Sequence, residues 1–359
     1  MKPEIAESAR NRALHILLAV ASLASPAFVA AQDSRGALAG LALYEGVDRD
    51  QRLLEGARRE GFLNLYASFP PEDLAVLNAA FEKKYGVKVQ TWRAASEKVL
   101  QRTLAEAKAG RFEVDLVDSN SVPLELLHRE GLLQAVRSRH HADLILAAVP
   151  AHREWVWARL SVFVQAYNTR LVKKEDLPAS YSDLLHPRWK GRLGIEASDE
   201  DWLHEVAQSL GEEKGLKLFR ELVATNGLSV RRGHSLLAQL VASGEVPLAL
   251  TVYNFTAEQY KRRGAALDWF VIPPAIAHGN GFAVARRAPH PHSALLYYEF
   301  MISEDGQRIL AERDSVPTNR KIDAALDRGS LRIIDPAVFI GQGERWAKLY
   351  EEIIVKGKK

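Results

Sequence analysis

The chain has 359 residues, 47% apolar and 26% charged, an ordinary globular composition with length for two lobes. A formal charge of +3 is too small to point to nucleic acid or another polyanion as partner. Cysteine is absent, which excludes thiol nucleophiles, zinc–thiolate sites, iron–sulfur clusters and disulfides.

At the N-terminus, Lys2, Arg10 and Arg12 flank the start of the apolar run ALHILLAVASLA, and small residues follow at Val29 and Ala31. This pattern predicts a secretory signal over residues 1–31, cleaved after Ala31. The run falls short of the ~20 residues that span a bilayer. With no cysteine to carry a lipid, the expectation is a freely soluble protein of the bacterial periplasm. Over 300 mature residues can bury a core large enough to dispense with disulfides.

From Phe62 the pattern alternates. FLNLYAS (62–68) reads as a strand, and PPEDLAVLNAAFEKKYG as a helix with Leu74, Leu77, Ala80 and Phe81 on one face. VKVQTWR (87–93) is the next strand, ASEKVLQRTLAEAKAG a helix capped by Ser96, and FEVDLVDS (112–119) the third strand. A helix then begins at Ser121, with Pro123 in its first turn. WVWARLSVFVQAYNTRL (155–171) is a long β-rich run suited to crossing between lobes. A second alternating block contains RLGIE (192–196), LSVRR (228–232) and VPLALTV (246–252). HGNGFAVAR (278–286) reads as the return crossing. Such alternation implies parallel α/β sheets covered by helices. Two crossings imply a hinge and a cleft that closes on a ligand.

Several stretches carry a resemblance: LNLYAS, FEKKYGVKV, FEVDLVDSNSVPLELLHREGLL, LPASYSDLLHPRWKGRLGI, SGEVPLALTVYN, PHPHSALLYYEFMISEDGQRILAE and SVPTN. In their order and spacing the chain resembles the periplasmic solute-binding proteins of ABC importers. The branch is the two-lobed one with ferric-ion, phosphonate, thiamine and sugar-phosphate binders. The resemblance implies an α/β venus-flytrap fold, the type II periplasmic binding protein. Its expected parts are lobe one over 32–160, lobe two over 161–276, a return to lobe one over 277–320 and a helical tail over 321–359 packing on the lobes. It also implies a monomer that passes a small solute to an inner-membrane ABC permease, with no cofactor. Ferric-binding members hold the metal with a histidine after the first strand, a glutamate after the third and a tyrosine pair near the end of a lobe-two strand. Those positions fall here on Pro70, Asn120 and Asn254-Phe255, with Tyr253 just before. Proline, asparagine and phenylalanine offer no anionic oxygen to ferric iron, so the resemblance implies that this iron site is lost.

For the cleft, three lobe-one strands end beside helix starts, where unpaired N–H groups favour an anion. Ser68, Arg93, Ser96 and Asn120 are the candidates for an anionic end, Arg93 for its guanidinium fork. In lobe two, EASDEDWL offers Asp199 and Asp201 to a cationic group and Trp202 to stack on it, and Tyr253 and Asn254 complete the wall. Asp199 and Ser96 have a plain structural role open to them as helix caps. RRGHS (231–235) could bring another helix start to the cleft but reads more simply as a turn, and His140-His141, His290 and His292 read as solvated surface without metal spacing. Glu196, Asp199 and Asp201 could hold a hard cation, though no calcium loop is present and no metal is expected.

The expected function is capture of a small anionic or zwitterionic organic solute, such as an aminoalkylphosphonate or phosphate ester. The alternatives are a ferric-ion carrier with a non-standard site and a soluble receptor serving a membrane sensor. An enzyme is not expected, since nucleophile elbow, phosphate loop and HExxH helix are all missing.

Overall fold

A computed structural model describes residues 36–322 and 331–357; the expected signal segment lies outside the described residues. Strands β1 (Phe62–Ala67), β2 (Lys88–Arg93) and β3 (Leu116–Asn120) lie parallel in the order β2-β1-β3. The helices between them begin and end where the sequence dictates. Pro71–Tyr85 has proline in its first turn and Gly86 in the left-handed conformation (φ 75°) beyond its last.

The chain then runs through β4 (Val156–Asn168), thirteen buried residues. Next come β5 (Leu193–Glu196), β6 (Ser229–Arg231) and β7 (Leu248–Tyr253), with β5 parallel to both β6 and β7. β8 (Leu267–Phe270) pairs with β4, and the long β9 (Ala275–Val284) returns antiparallel to both β3 and β4. One mixed sheet results, in the order β2-β1-β3-β9-β4-β7-β5-β6, with β10 (Val316–Pro317) on β4 and β11 (Leu331–Ile333) on β9. The parallel pairing expected from the alternation holds within each half. The antiparallel β4 and β9 join the halves.

Close approach of these two strands explains the GNGF stretch. A Cβ on Gly281 would overlap the Val156 carbonyl, and one on Gly279 would overlap the Trp157 ring. Register shifts interrupt β4 twice, at Trp157/Arg159 against β9 and at Val164/Ala166 against β7. At the second, the Gln165 amide donates to the Leu250 carbonyl (3.0 Å) and accepts from the Ile272 N–H (2.6 Å), replacing ladder bonds that the bulge removes.

Two apolar cores flank this junction. One packs Leu65, Phe81, Leu116, Phe282, Tyr297 and Phe300. The other packs Tyr181, Trp189, Ile195, Trp202, Phe219 and, from the C-terminal segment, Trp346 and Tyr350. Burial of each large side chain contributes roughly 1.5–3 kcal/mol. The histidines expected on a solvated surface are instead anchors. His290 Nδ1 lies 2.9 Å from Asp115 and His292 Nδ1 2.7 Å from Glu60, fixing the helix Pro291–Ile302 to its neighbours, while His141 pairs with the Tyr298 hydroxyl at 2.8 Å. Among the described residues no helix is long and apolar enough to cross a membrane.

Candidate functional site: a charged cleft where the two halves meet

The lobe-one wall starts at the carboxyl ends of β1 and β3. Asp118, fully buried on β3, accepts from the N–H groups of Ser68 and Phe69, each at 2.9 Å, and so folds the turn after β1 onto β3. Its Oδ1 has no partner among the described residues. Burial raises the pKa of this carboxyl, opposed by the nearby Arg159 charge.

Arg159 comes from β4, opposite Asn280 of β9, which is in turn opposite Asn120 of β3. Its guanidinium lies 4.0 Å above the Phe69 ring and 5.4 Å from that of Phe255. Nη1 donates to Ser161 Oγ (3.1 Å), yet Nε is buried without a partner, and the residue makes no ion pair among the described residues. A cation that is 3% exposed and held between two rings is prepared for an anion.

The lobe-two wall starts where β5 ends. Glu196 accepts from the N–H groups of Gly233 (2.8 Å) and Ser198 and so ties two loops together. Beneath it, the Tyr350 hydroxyl donates to the Glu196 carbonyl at 2.5 Å. Asp199, 3% exposed, precedes the helix Glu200–Leu210. Its Oδ1 lies 3.3 Å from His234 Nε2, and its Oδ2 is buried with no partner among the described residues. His234 begins the helix His234–Ser243, and its Nδ1 faces the Thr251 carbonyl at 3.2 Å. Both ring nitrogens therefore face acceptors, an arrangement that calls for the imidazolium. Burial works against that charge, but Asp199 and Glu196 outweigh it and push the pKa up to about 9.

Acids crowd this corner. Burial, then the charges of Asp199 and Glu200, lift Asp201 to about 8. Burial is likewise the main reason that Glu200 rises to about 7. Ligand atoms of Glu196, Asp199 and His234 all lie within 4.8 Å of one another, the spacing of a metal site. A metal there would have to displace the second proton of His234, since an imidazolium has no lone pair to give. A second such group, Glu125, His128 and His152, is structural. His152 Nδ1 accepts the Glu154 N–H (3.1 Å), which leaves Nε2–H for Glu125 at 3.5 Å.

The profile of the bacterial extracellular solute-binding proteins matches residues 77–327, more than half of the chain. The chain belongs to this family. Iron uptake protein A1 of Synechocystis is 25% identical over 307 residues, covering 77% of this chain and 84% of the relative. The major ferric iron-binding protein of Neisseria meningitidis serogroup B is 26% identical over 261 residues, covering 67% of this chain and 76% of its own. Among solved structures, iron-bound HitA from Pseudomonas aeruginosa superposes with a TM-score of 0.71 at 23% identity, covering 81% of this chain and 99% of that one. AfuA from Actinobacillus pleuropneumoniae, with fructose-6-phosphate bound, gives 0.71 at 22% identity, covering 83% and 99%. These likenesses establish the two-lobed type II binding-protein fold, and the family is one of solute binders rather than enzymes.

Within this extracellular solute-binding protein, the expected site residues divide. Asp199 and Tyr253 lie in the charged corner, and Tyr253 bonds His278 at 2.9 Å. Ser68 and Asn120 stand at the strand ends that carry Asp118 and face Asn280. Arg93 is exposed, and its Nε donates to the Phe69 carbonyl at 3.2 Å. Ser96 is not the cap, since Ala95 precedes the helix; Ser96 Oγ accepts from the Asn120 N–H at 3.4 Å. Trp202 is corrected. It is fully buried, edge-on to Phe219 (5.5 Å) and Tyr181 (5.8 Å), and cannot stack on a ligand. Asn254 spends its amide on the backbone, accepting from Val162 N–H and donating to the Asp314 carbonyl, both at 3.1 Å.

Arg159, Asp118, His234 and His278 had no place among the expected ligand contacts, and Glu196 entered only as one of three acids that could hold a hard cation. A signal for Arg159 was present, as the one charge inside the apolar run WVWARLSVFV. At RRGHS, where a helix start was weighed against a turn, His234 begins a helix.

Proposed function

We propose that this protein captures a small bipolar organic solute and delivers it to an ABC permease from the periplasm. Its anionic end is received by Arg159, and its cationic or hydrogen-bond-donating end by Asp199. One observation carries the reading: a buried donor, Arg159 Nε, and a buried acceptor, Asp199 Oδ2, both lack partners among the described residues, and both charges act on Tyr253 between them. Leaving each unsatisfied costs roughly 1–3 kcal/mol, which a cargo with matching ends would recover. Residues 32–160 with 277–320 are taken as one lobe and 161–276 as the other, the tail 321–359 packing beside them. Aminoalkylphosphonates have the required two ends. A simple phosphate ester or organic acid would satisfy Arg159 alone.

Ferric ion is the second reading, favoured by the approach of Glu196, Asp199 and His234 and by what the named relatives carry. The two are separated by a thermal-unfolding screen of the mature, ligand-stripped protein. The panel holds 2-aminoethylphosphonate, phosphate esters, organic acids, amines and ferric citrate. A ligand at 100 times its Kd adds about 2.7 kcal/mol, a visible shift in the midpoint. A saturable shift with a bipolar anion supports the first reading. A shift with ferric salt alone replaces it with the second.

A further inference from the structure

We propose that the lobe-one half carries a second binding site, at the end opposite the cleft, for a small organic anion with an apolar body. The site does not rest on the cleft reading above. It is a cavity of about 250 Å³. Its walls come from the last turns of the helix Ser96–Lys108, the loop leading into β3, the turn after the helix Ser121–Arg129 and the end of β9. β3 separates it from the cleft. Val114 lines the cavity just ahead of that strand, whereas Asn120 ends the strand at the cleft. At about 3.3 Å per residue those two ends lie roughly 20 Å apart.

The lining selects the ligand class. Its interior is apolar: Val114 and Ala285 are buried, and Ala107, Phe112 and Leu132 are half-buried around it. The acid in the lining, Glu106, is already matched. Both of its oxygens accept from the Tyr66 hydroxyl at 2.9 Å, and Oε1 also accepts from Arg102 Nε at 2.7 Å. That guanidinium lies over the Tyr66 and Trp92 rings, so the acid's charge is countered within the wall.

The cations at the rim differ from one another. Arg286 is held, its Nε donating to the Leu133 carbonyl and its Nη2 to Glu154, both at 2.9 Å. Arg111 and Arg287 are exposed and form no ion pair or side-chain hydrogen bond among the described residues. The Arg287 guanidinium lies 4.1 Å from the centre of the Phe112 ring. A guanidinium over a ring face keeps its N–H edge free for a carboxylate. An apolar interior with a few polar groups at its mouth is the usual make-up of a small-molecule site, and this volume falls just below the ~300 Å³ at which drug-sized ligands begin. The ligand that fits places an apolar body against Phe112 and Leu132 and its negative charge between Arg111 and Arg287.

The test uses the whole mature protein, labelled with ¹⁵N, and follows its backbone amide resonances. The probe is 3-phenylpropionate, and 3-phenylpropanamide, the same body without the charge, is the control. The expected result is saturable shifts in residues 103–114, 131–132 and 285–287, with the amide weaker by roughly fivefold or more. Arg111→Ala and Arg287→Ala should each weaken the acid by about twofold to fivefold, the size of an exposed charge pair, and leave the amide unchanged. Ala107→Trp, which fills the cavity from its rim, should abolish the shifts at an unchanged melting temperature. Arg159→Met should leave them in place, and their loss there would assign the probe to the cleft. No shifts in these segments, shifts confined to residues 68–69, 118–120 and 159–161, or equal affinity for acid and amide would overturn the proposal. So would binding that survives Ala107→Trp. None of these outcomes decides the cleft reading, which is judged by its own ligand panel with Arg159 intact.

Discussion

The two walls of the cleft handle buried charge in opposite ways. On the lobe-one side a single carboxylate, Asp118, is tied to backbone N–H groups and a single cation, Arg159, is held between two phenyl rings. On the lobe-two side Glu196, Asp199, Glu200 and Asp201 crowd together around one imidazolium, His234. The first wall sets its one acid against hydrogen-bond donors and a nearby cation. The second holds its acids by protonation, since like charges in a low-dielectric corner cannot all ionise. In the function proposed above, each wall receives one end of the cargo.

Breaking the lobe-one wall should have the largest effect. Arg159→Met keeps the bulk between Phe69 and Phe255 and removes the charge. We expect loss of anionic-cargo affinity equivalent to roughly 2–5 kcal/mol, read by calorimetry. Retained affinity would remove Arg159 from the site. The fold of the second wall is tested by Trp202→Ala, expected to cost about 3–5 kcal/mol of stability in denaturant. Cargo affinity, measured where the variant is still folded, should stay near wild type. A selective affinity loss would return the indole to the cleft.

The contrast also predicts a pH profile for the empty protein. His234 has its folded pKa raised to about 9, so its stabilisation is complete below its ordinary value of 6.5 and is lost as pH rises through 9. Asp201 is raised from 3.8 to about 8, so the folded state binds its proton more tightly and stability falls as pH climbs between those values. Both act in the same direction. Unfolding followed from pH 7 to pH 9 should show falling stability, and Asp201→Asn should flatten the slope. A profile unchanged by that substitution would mean that Asp201 ionises normally. The smallest effect is expected at Arg93→Ala, within about 0.5 kcal/mol in stability, as for surface changes generally, and with no measurable change in affinity.

Much of the fold was legible. Helix starts and stops at Pro71 and Gly86, and the apolar β-rich run that became β4, are local signals carried by a few neighbouring residues. The site was legible only in part. Asp199 and Tyr253 were accessible to reasoning because a strand end beside a helix start marks a ligand position in α/β proteins. Trp202 was misread for a specific reason. It follows two acids that face the cleft corner, but one more step along the helix turns its side chain toward Tyr181 and Phe219. Asn254 looked like a free amide until Val162 and Asp314, distant in sequence, were found to use it.

The sequence by itself determined the two α/β halves and the long crossing strands, because periodicity and turn residues are local properties. Only the tertiary structure decided which charges meet. Arg159 faces Phe69 and Phe255 from 90 and 96 residues away, and His234 meets Asp199 across 35. Protonation in the cleft depends on those distances and on burial, and burial of a polar group is a property of everything folded around it.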